Sequence, residues 1–130
     1  KGAAPAKQAA PEKRAEPEGV ASLIAIDDFA KVQLRVAQVL SCEPVKRTAK
    51  LLRLMLDDGS GTPRQVLSGI HPWYEPDALI GKKLIVVANL KPAKLCGVES
   101  NGMILAADAG ENDVKVIFVD ESIPCGSVVR

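Results

Sequence analysis

A small all-β barrel is the fold class this sequence predicts, and three observations carry the prediction. The chain has 130 residues, 47% of them apolar and 25% charged, which is the balance of a single globular domain with one core. All 14 Val, 8 Ile and 13 Leu fall after residue 19, so the core is built largely from β-branched and aliphatic side chains that suit strands. Beyond that point the apolar residues come in short runs, several alternating with period two, separated by Gly, Pro, Asp and Asn.

Residues 1–19 hold Ala, Pro, Gly, Gln, Lys, Arg and Glu without one aliphatic larger than Ala or one aromatic. Such text cannot pack and reads as an interdomain linker, semi-extended by Pro5, Pro11 and Pro17. The folded domain is placed at 20–130. Because the chain opens on Lys1 rather than Met, it reads as a piece of a longer protein. At 26–31, Asp27 or Asp28 offers a cap for a short helical turn. Val32, Leu34 and Val36 then alternate with Gln33 and Arg35, but Val39 and Leu40 are adjacent, so a bulge or strong bend is predicted where the phase slips.

Leu52, Leu54 and Leu56 alternate with Arg53 and Met55, and Asp57-Asp58-Gly59-Ser60-Gly61 turns this strand into a hairpin with 64–69. Between 70 and 83, Pro72, Pro76 and Gly81 leave room for one helical turn at 76–80. Residues 84–88 read as a strand buried on both faces, 89–100 as a basic loop, and 102–107 as another strand. A turn at 108–113, a strand at 114–119 and a last short strand at 123–129 complete the chain. Five principal strands with a helical turn between the third and fourth describe an OB fold, a five-stranded Greek-key barrel, here with extra C-terminal strands.

The same residues exclude several chemistries. No apolar run approaches the ~20 residues of a spanning helix, and no h-region follows the basic start. Cys42, Cys96 and Cys125 lie far apart with no CxxC pair, so neither a disulfide framework nor a zinc knuckle is written, and a reducing cytoplasm is expected. The single histidine, His71, stands beside Pro72 without a cluster of other ligands and reads as a loop residue. No catalytic residue, metal or cofactor is predicted, and no Gly-rich phosphate cradle is present.

Formal net charge is only +1, but it is unevenly placed. Residues 30–94 carry 11 Lys or Arg against 5 Asp or Glu, whereas 95–130 carry 2 against 6. A barrel with cations on one side can meet a polyanion face-on, while charge alone slightly favours the alternative, an ordinary mixed and solvated surface. Phe29, Trp73, Tyr74 and Phe118 are the only aromatics. Phe29 and Phe118 sit in apolar patterns and are expected in the core, and a Trp-Tyr pair beside prolines more often packs a loop than stacks bases. Backbone and shape recognition of a structured RNA fits this supply better than a stacking platform for single strands.

Four segments occur in order: Asp28-Phe29-Ala30-Lys31-Val32-Gln33-Leu34-Arg35-Val36, Lys50-Leu51-Leu52-Arg53-Leu54, Ser68-Gly69-Ile70, and Asn89-Leu90-Lys91-Pro92-Ala93-Lys94 running into Gly97-Val98-Glu99-Ser100-Asn101-Gly102-Met103. Over 26–130 they resemble the tRNA-binding domain family of OB folds, and most closely the C-terminal domain appended to bacterial methionyl-tRNA synthetases. The resemblance implies a non-catalytic module that raises the tRNA affinity of an ATP-dependent parent ligase and supports dimerisation. The alternatives are a stand-alone tRNA-binding protein, or an OB-fold interaction domain with little RNA binding.

Carried over residue by residue, the resemblance implies tRNA contacts at Asn89, Lys91, Lys94, Ser100 and Met103, with Met103 equally readable as core. Lys50, Arg53 and Arg35 either widen the basic face or are ordinary solvated strand charge. Gly97 and Gly102 read as backbone positions needing positive φ or close approach. Where the family commonly has His-Pro-x-Ala-Asp, this chain has Val45-Lys46-Arg47-Thr48-Ala49, which removes an acid and adds two cations. The strands beyond the barrel imply a homodimer interface at Val116, Phe118 and Val128, unless they merely cap their own barrel and leave a monomer.

Overall fold

The computed structural model describes residues 22–130, so the linker expected at 1–19 lies outside the described residues. The first element, α1 (Ile26–Phe29), is a single turn whose N-cap is Ala25. Asp28 reaches back from the first turn, its carboxylate accepting the Ala25 N–H at 3.4 Å, so the acid expected to cap the helix supports it from inside. No residue of α1 is buried. Phe29 is 41% exposed and lies outside the core, because α1 rests on the barrel surface beside the strand that follows it and the last strand of the chain.

The barrel is organised around β1 (Leu34–Pro44). Its first half pairs antiparallel with β4 (Lys83–Val87), from Leu34 opposite Val87 to Gln38 opposite Lys83. Its second half pairs with β2 (Leu52–Asp57), from Gln38 opposite Asp57 to Pro44 opposite Leu52. The register slips between Val39 and Ser41, where adjacent apolar residues predict a bulge, and Leu40 is turned outward there. A bulge bends the strand and increases its twist, which lets one strand serve both halves of a barrel.

β2 forms the predicted hairpin with β3 (Arg64–Ser68). Leu52, Leu54 and Leu56 are fully buried, while Arg53, Met55 and Asp57 are partly exposed on the opposite face. Each such leucine contributes ~1.5–3 kcal/mol relative to an exposed one. The helical turn between the third and fourth strands is α2 (Pro76–Leu79), with Pro at its start and Leu79 fully buried in the core. Pro at that position loses no helical hydrogen bond. Strand order is β3-β2-β1-β4-β7, β7 being Met103–Ile104. The barrel nearly closes between β7 and β3, where the Asn101 N–H donates to the Gln65 carbonyl at 2.7 Å.

Several expectations give way. The basic loop at 89–100 contains a hairpin, β5 (Ala93–Leu95) with β6 (Val98–Ser100). Its two-residue turn, Cys96-Gly97, has φ +52° and +78°, the left-handed pair that a tight hairpin needs. The turn expected at 108–113 is mostly strand: β8 (Ala106–Gly110) pairs with β9 (Asp113–Val116) in a ribbon off the barrel. After it, only Phe118 bridges Leu84. Of 123–129, only β10 (Val128–Val129) is strand, paired with Leu34 and Arg35 of β1. Pro124, lacking an N–H, and Gly126 at φ +90° hold the preceding residues in turns. Trp73 and Tyr74 pack that ribbon to the barrel: the indole N–H donates to the Asn112 carbonyl at 3.0 Å, and the Tyr74 hydroxyl accepts the Val116 N–H at 2.9 Å.

Candidate nucleic-acid interface

The chain leaves β4 at Ala88 and returns at Asn101, and between them the β5–β6 hairpin forms an arm carrying Lys91 and Lys94. Both lysines are exposed, and the arm is exposed throughout 91–97. Its base is tied down. Asn89 accepts the Gln33 N–H at 2.9 Å and donates to the Lys31 carbonyl at 2.6 Å. The Ser100 hydroxyl accepts the Leu67 N–H at 3.0 Å and donates to the Gly102 carbonyl at 3.1 Å. Gln65 donates to the Glu99 carbonyl at 2.7 Å.

Those bonds redistribute the expected contact residues. Ser100 is 5% exposed and both its hydroxyl functions are engaged inside the barrel, where they hold the returning end of the arm. Asn89 uses its amide in the same way, although the residue itself is exposed. Met103 is exposed on the short β7, opposite Val87, which excludes its core reading. Gly97 provides the hairpin turn. Gly102, at φ +135°, brings its backbone so near β4 that a Cβ would stand 3.0 Å from the Val87 carbonyl oxygen.

A second cationic segment faces the arm. Lys46 and Arg47, in the β1–β2 loop, line a cleft of about 380 Å³ with Arg53, Cys96, Gly97 and Val98. Arg47 holds φ +79°, a conformation that a non-glycine residue adopts only at some cost. Arg53 is partly neutralised, pairing with Glu43 across the β1–β2 ladder at 2.8 Å. Lys50 ends the same loop and is exposed. Among the described residues, none of Lys46, Arg47, Lys50, Lys91 and Lys94 pairs with a carboxylate. Arg35 stands apart from this cleft: it lines a different hollow with Asp58, Arg64 and Gly126 and donates to the Gly126 carbonyl at 3.2 Å.

Sequence reasoning missed Arg64. Its Nε donates to Asp58 at 2.8 Å, and its Nη1 donates to the carbonyls of Ala88 at 3.2 Å and Asn101 at 2.8 Å. Burial alone would raise the pKa of Asp58, but hydrogen bonds from Ser60 and Arg64 and the Arg64 charge outweigh it and hold the carboxyl below its usual value. The β5–β6 hairpin was missed too, although Cys96-Gly97 between two three-residue segments was its signal.

Of the expected dimer residues, Val116 is 5% exposed and belongs to the barrel core, so it is unavailable to a partner. Phe118 is 40% exposed, not core, with its ring edge-on to Tyr74 at 6.3 Å between centroids. Val128 is exposed and shares an apolar groove with Ile26, Phe29 and Val32. Among the described residues, no group of three His, Cys, Asp or Glu is placed to hold a metal ion, and no helix is long and apolar enough to cross a membrane. His71 is half-buried in the loop after β3, its N–H bonded to the Lys50 carbonyl at 3.2 Å and its Nδ1 buried without a partner.

Residues 34–128, from the first strand of the barrel to the last, match the family model described as "Putative tRNA binding domain". The chain belongs to the tRNA-binding domain family. Within that family it is 53% identical over 108 residues to a methionine–tRNA ligase of Methanosarcina mazei, an alignment that covers 83% of this chain but 15% of the ligase. A methionine–tRNA ligase of Deinococcus radiodurans is 52% identical over 108 residues, with 83% of this chain and 16% of that protein covered. The chain thus spans a small fraction of the length of these relatives. Among solved structures, a MetRS-related protein from Pyrococcus horikoshii superposes with a TM-score of 0.80 and 41% identity, covering 85% of this chain and all of that one. The family's OB-type barrel is therefore this chain's fold.

Proposed function

We propose that this chain is a non-catalytic module that holds tRNA through its sugar-phosphate backbone, and that it serves a methionyl-tRNA synthetase by raising that enzyme's tRNA affinity. The observation that carries the reading is an exposed arm bearing Lys91 and Lys94 whose tip, Cys96 to Val98, shares a cleft with the Lys46-Arg47 loop. Cations on two opposed elements, none paired with a carboxylate among the described residues, suit neighbouring phosphates. Membership in the tRNA-binding domain family and about half identity to methionine–tRNA ligases support the choice of RNA and of parent. Tethering such a module to a catalytic domain raises the effective tRNA concentration without new contacts at the reacting end. The setting proposed is the cytoplasm, where three free cysteines stay reduced.

The test is titration of labelled bulk tRNA at low and moderate salt, beside a Lys91→Ala/Lys94→Ala variant. The reading requires affinity that falls steeply with salt and drops in the variant. Equal binding by both proteins would move the site away from the arm, and no binding at low salt would remove the function.

Homodimerisation belongs to the same proposal, through the face made by Ile26, Phe29, Val32 and Val128. What supports it is α1: a four-residue helix with no buried side chain has little of its own to hold it together, and a two-fold copy would bury it. Sedimentation of the chain and of Phe29→Lys should give a dimer and a monomer. A monomeric wild type leaves the exposed face without that partner.

A further inference from the structure

We propose that Arg64 is the positioning residue that sets the direction of the lysine arm toward RNA, an inference that rests on the tRNA-binding reading above. Arg64 opens β3, outside the arm, and its side chain is only 18% exposed. Ala88 is where the chain leaves β4 for the arm, and Asn101 is where it returns. The two hydrogens of one amino group, Nη1, go to those two carbonyls, at 3.2 and 2.8 Å. Among the described residues, the other ties hold one foot of the arm each: Asn89 the outgoing foot, Ser100 and the Asn101 N–H the returning one.

The guanidinium is planar, so the direction of Nη1 is fixed once Nε is fixed. Asp58 fixes it, at 2.8 Å through a carboxylate whose other oxygen accepts the Ser60 N–H at 3.0 Å. A buried ion pair adds little net stability compared with apolar packing. What it supplies here is a rigid mount at a set angle, and the segment it mounts carries the two lysines. Binding energy then need not be diverted to ordering the arm when RNA arrives.

The experiment compares the full chain with Arg64→Gln, Arg64→Lys and Asp58→Asn. It measures thermal midpoint, amide hydrogen exchange over residues 89–101 without RNA, and tRNA affinity across salt. Arg64→Gln and Asp58→Asn should both lower the midpoint and speed exchange across 89–101, most in Arg64→Gln, which loses the two carbonyl bonds outright. It should also weaken tRNA binding by roughly tenfold at low and at moderate salt alike, with the salt slope kept, because both lysines remain and only the ordering cost is added. Adding Arg64→Gln to the Lys91→Ala/Lys94→Ala variant should cost nothing more. Arg64→Lys keeps the charge without the fork, so its arm should exchange as quickly as in Arg64→Gln; it also serves if Arg64→Gln does not fold.

Wild-type binding by Arg64→Lys would reduce Arg64 to a charge and overturn the proposal. So would unchanged exchange over 89–101 in Arg64→Gln, with or without tRNA binding. Failure of the wild-type chain to bind tRNA would count against the functional reading, while the exchange result judges the clamp separately.

Discussion

Gly59 and Gly126 pack backbone against backbone. A Cβ on Gly59 would stand 2.8 Å from the Cys125 carbonyl oxygen, and one on Gly126 would stand 3.0 Å from the Asp58 carbonyl oxygen. Both residues hold left-handed φ, +83° and +90°. The turn joining β2 to β3 and the turn leading into β10 can therefore approach only while both lack a side chain. Gly59→Ala should lose about 1–3 kcal/mol from the combined backbone strain and overlap, measured as a lower urea midpoint at unchanged slope. Gly61→Ala is the comparison, since its φ is also positive but open space surrounds it.

Acid should weaken the fold through Asp58. Its folded pKa lies below the ordinary value of 3.8, so the unfolded chain takes up this proton first as pH falls. The stabilisation is complete above the unfolded pKa and lost as pH drops through the folded one. Denaturant midpoints from pH 7 to 3 should fall most steeply below about pH 4, and Asp58→Asn should flatten that part of the profile.

The three thiols should separate by reactivity. Burial, followed by the nearby charges of Glu43 and Asp77, pushes Cys42 up to about 11, so its nucleophilic thiolate is scarce at neutral pH. Cys96 is exposed at the tip of the arm. A thiol reagent applied to the native chain should label Cys96 first and Cys42 only on unfolding, and bound tRNA should slow the Cys96 reaction.

Lys46 and Arg47 should each carry a phosphate contact that Arg53 carries less fully, because Glu43 already pairs with Arg53. Lys46→Ala/Arg47→Ala should reduce the salt slope of tRNA binding by about 1.4–1.8, and Arg53→Ala by less. Equal slopes in the two variants would place the RNA elsewhere on the barrel.

Leu54→Ala should cost about 2–5 kcal/mol, because Leu54 is fully buried on β2 in the middle of the core cluster. Leu40→Ala, at the outward face of the β1 bulge, should change the unfolding midpoint far less.

The barrel was legible where side chains alternate. Leu52, Leu54 and Leu56, the phase slip at Val39-Leu40 and Pro76 at a helix start each predict what is found, because they report purely local periodicity and turn chemistry. Phe29 and Phe118 misled: an apolar residue in an apolar run says nothing about whether the run faces the core or lies across its surface. Asn89 and Ser100 have partners that no local pattern discloses. Short polar side chains look the same in sequence whether they face a phosphate or a backbone amide, and only the folded register brings Ser100 to Leu67 and Asn89 to Gln33. Arg64 was invisible for the same reason, its partners lying at 58, 88 and 101.

The pairing of β10 with the start of β1 sets Val129 directly opposite Leu34. The folded unit therefore begins and finishes at one spot on its surface. A polypeptide carrying it enters and departs side by side, so the barrel can hang from a single attachment point and swing as a pendant, or sit inside a surface loop of another protein, without prising its host apart. That ladder joins residues almost a whole domain apart, so β10 can dock on β1 only after the last strand has been made, whereas the ring itself nearly closes between β7 and β3.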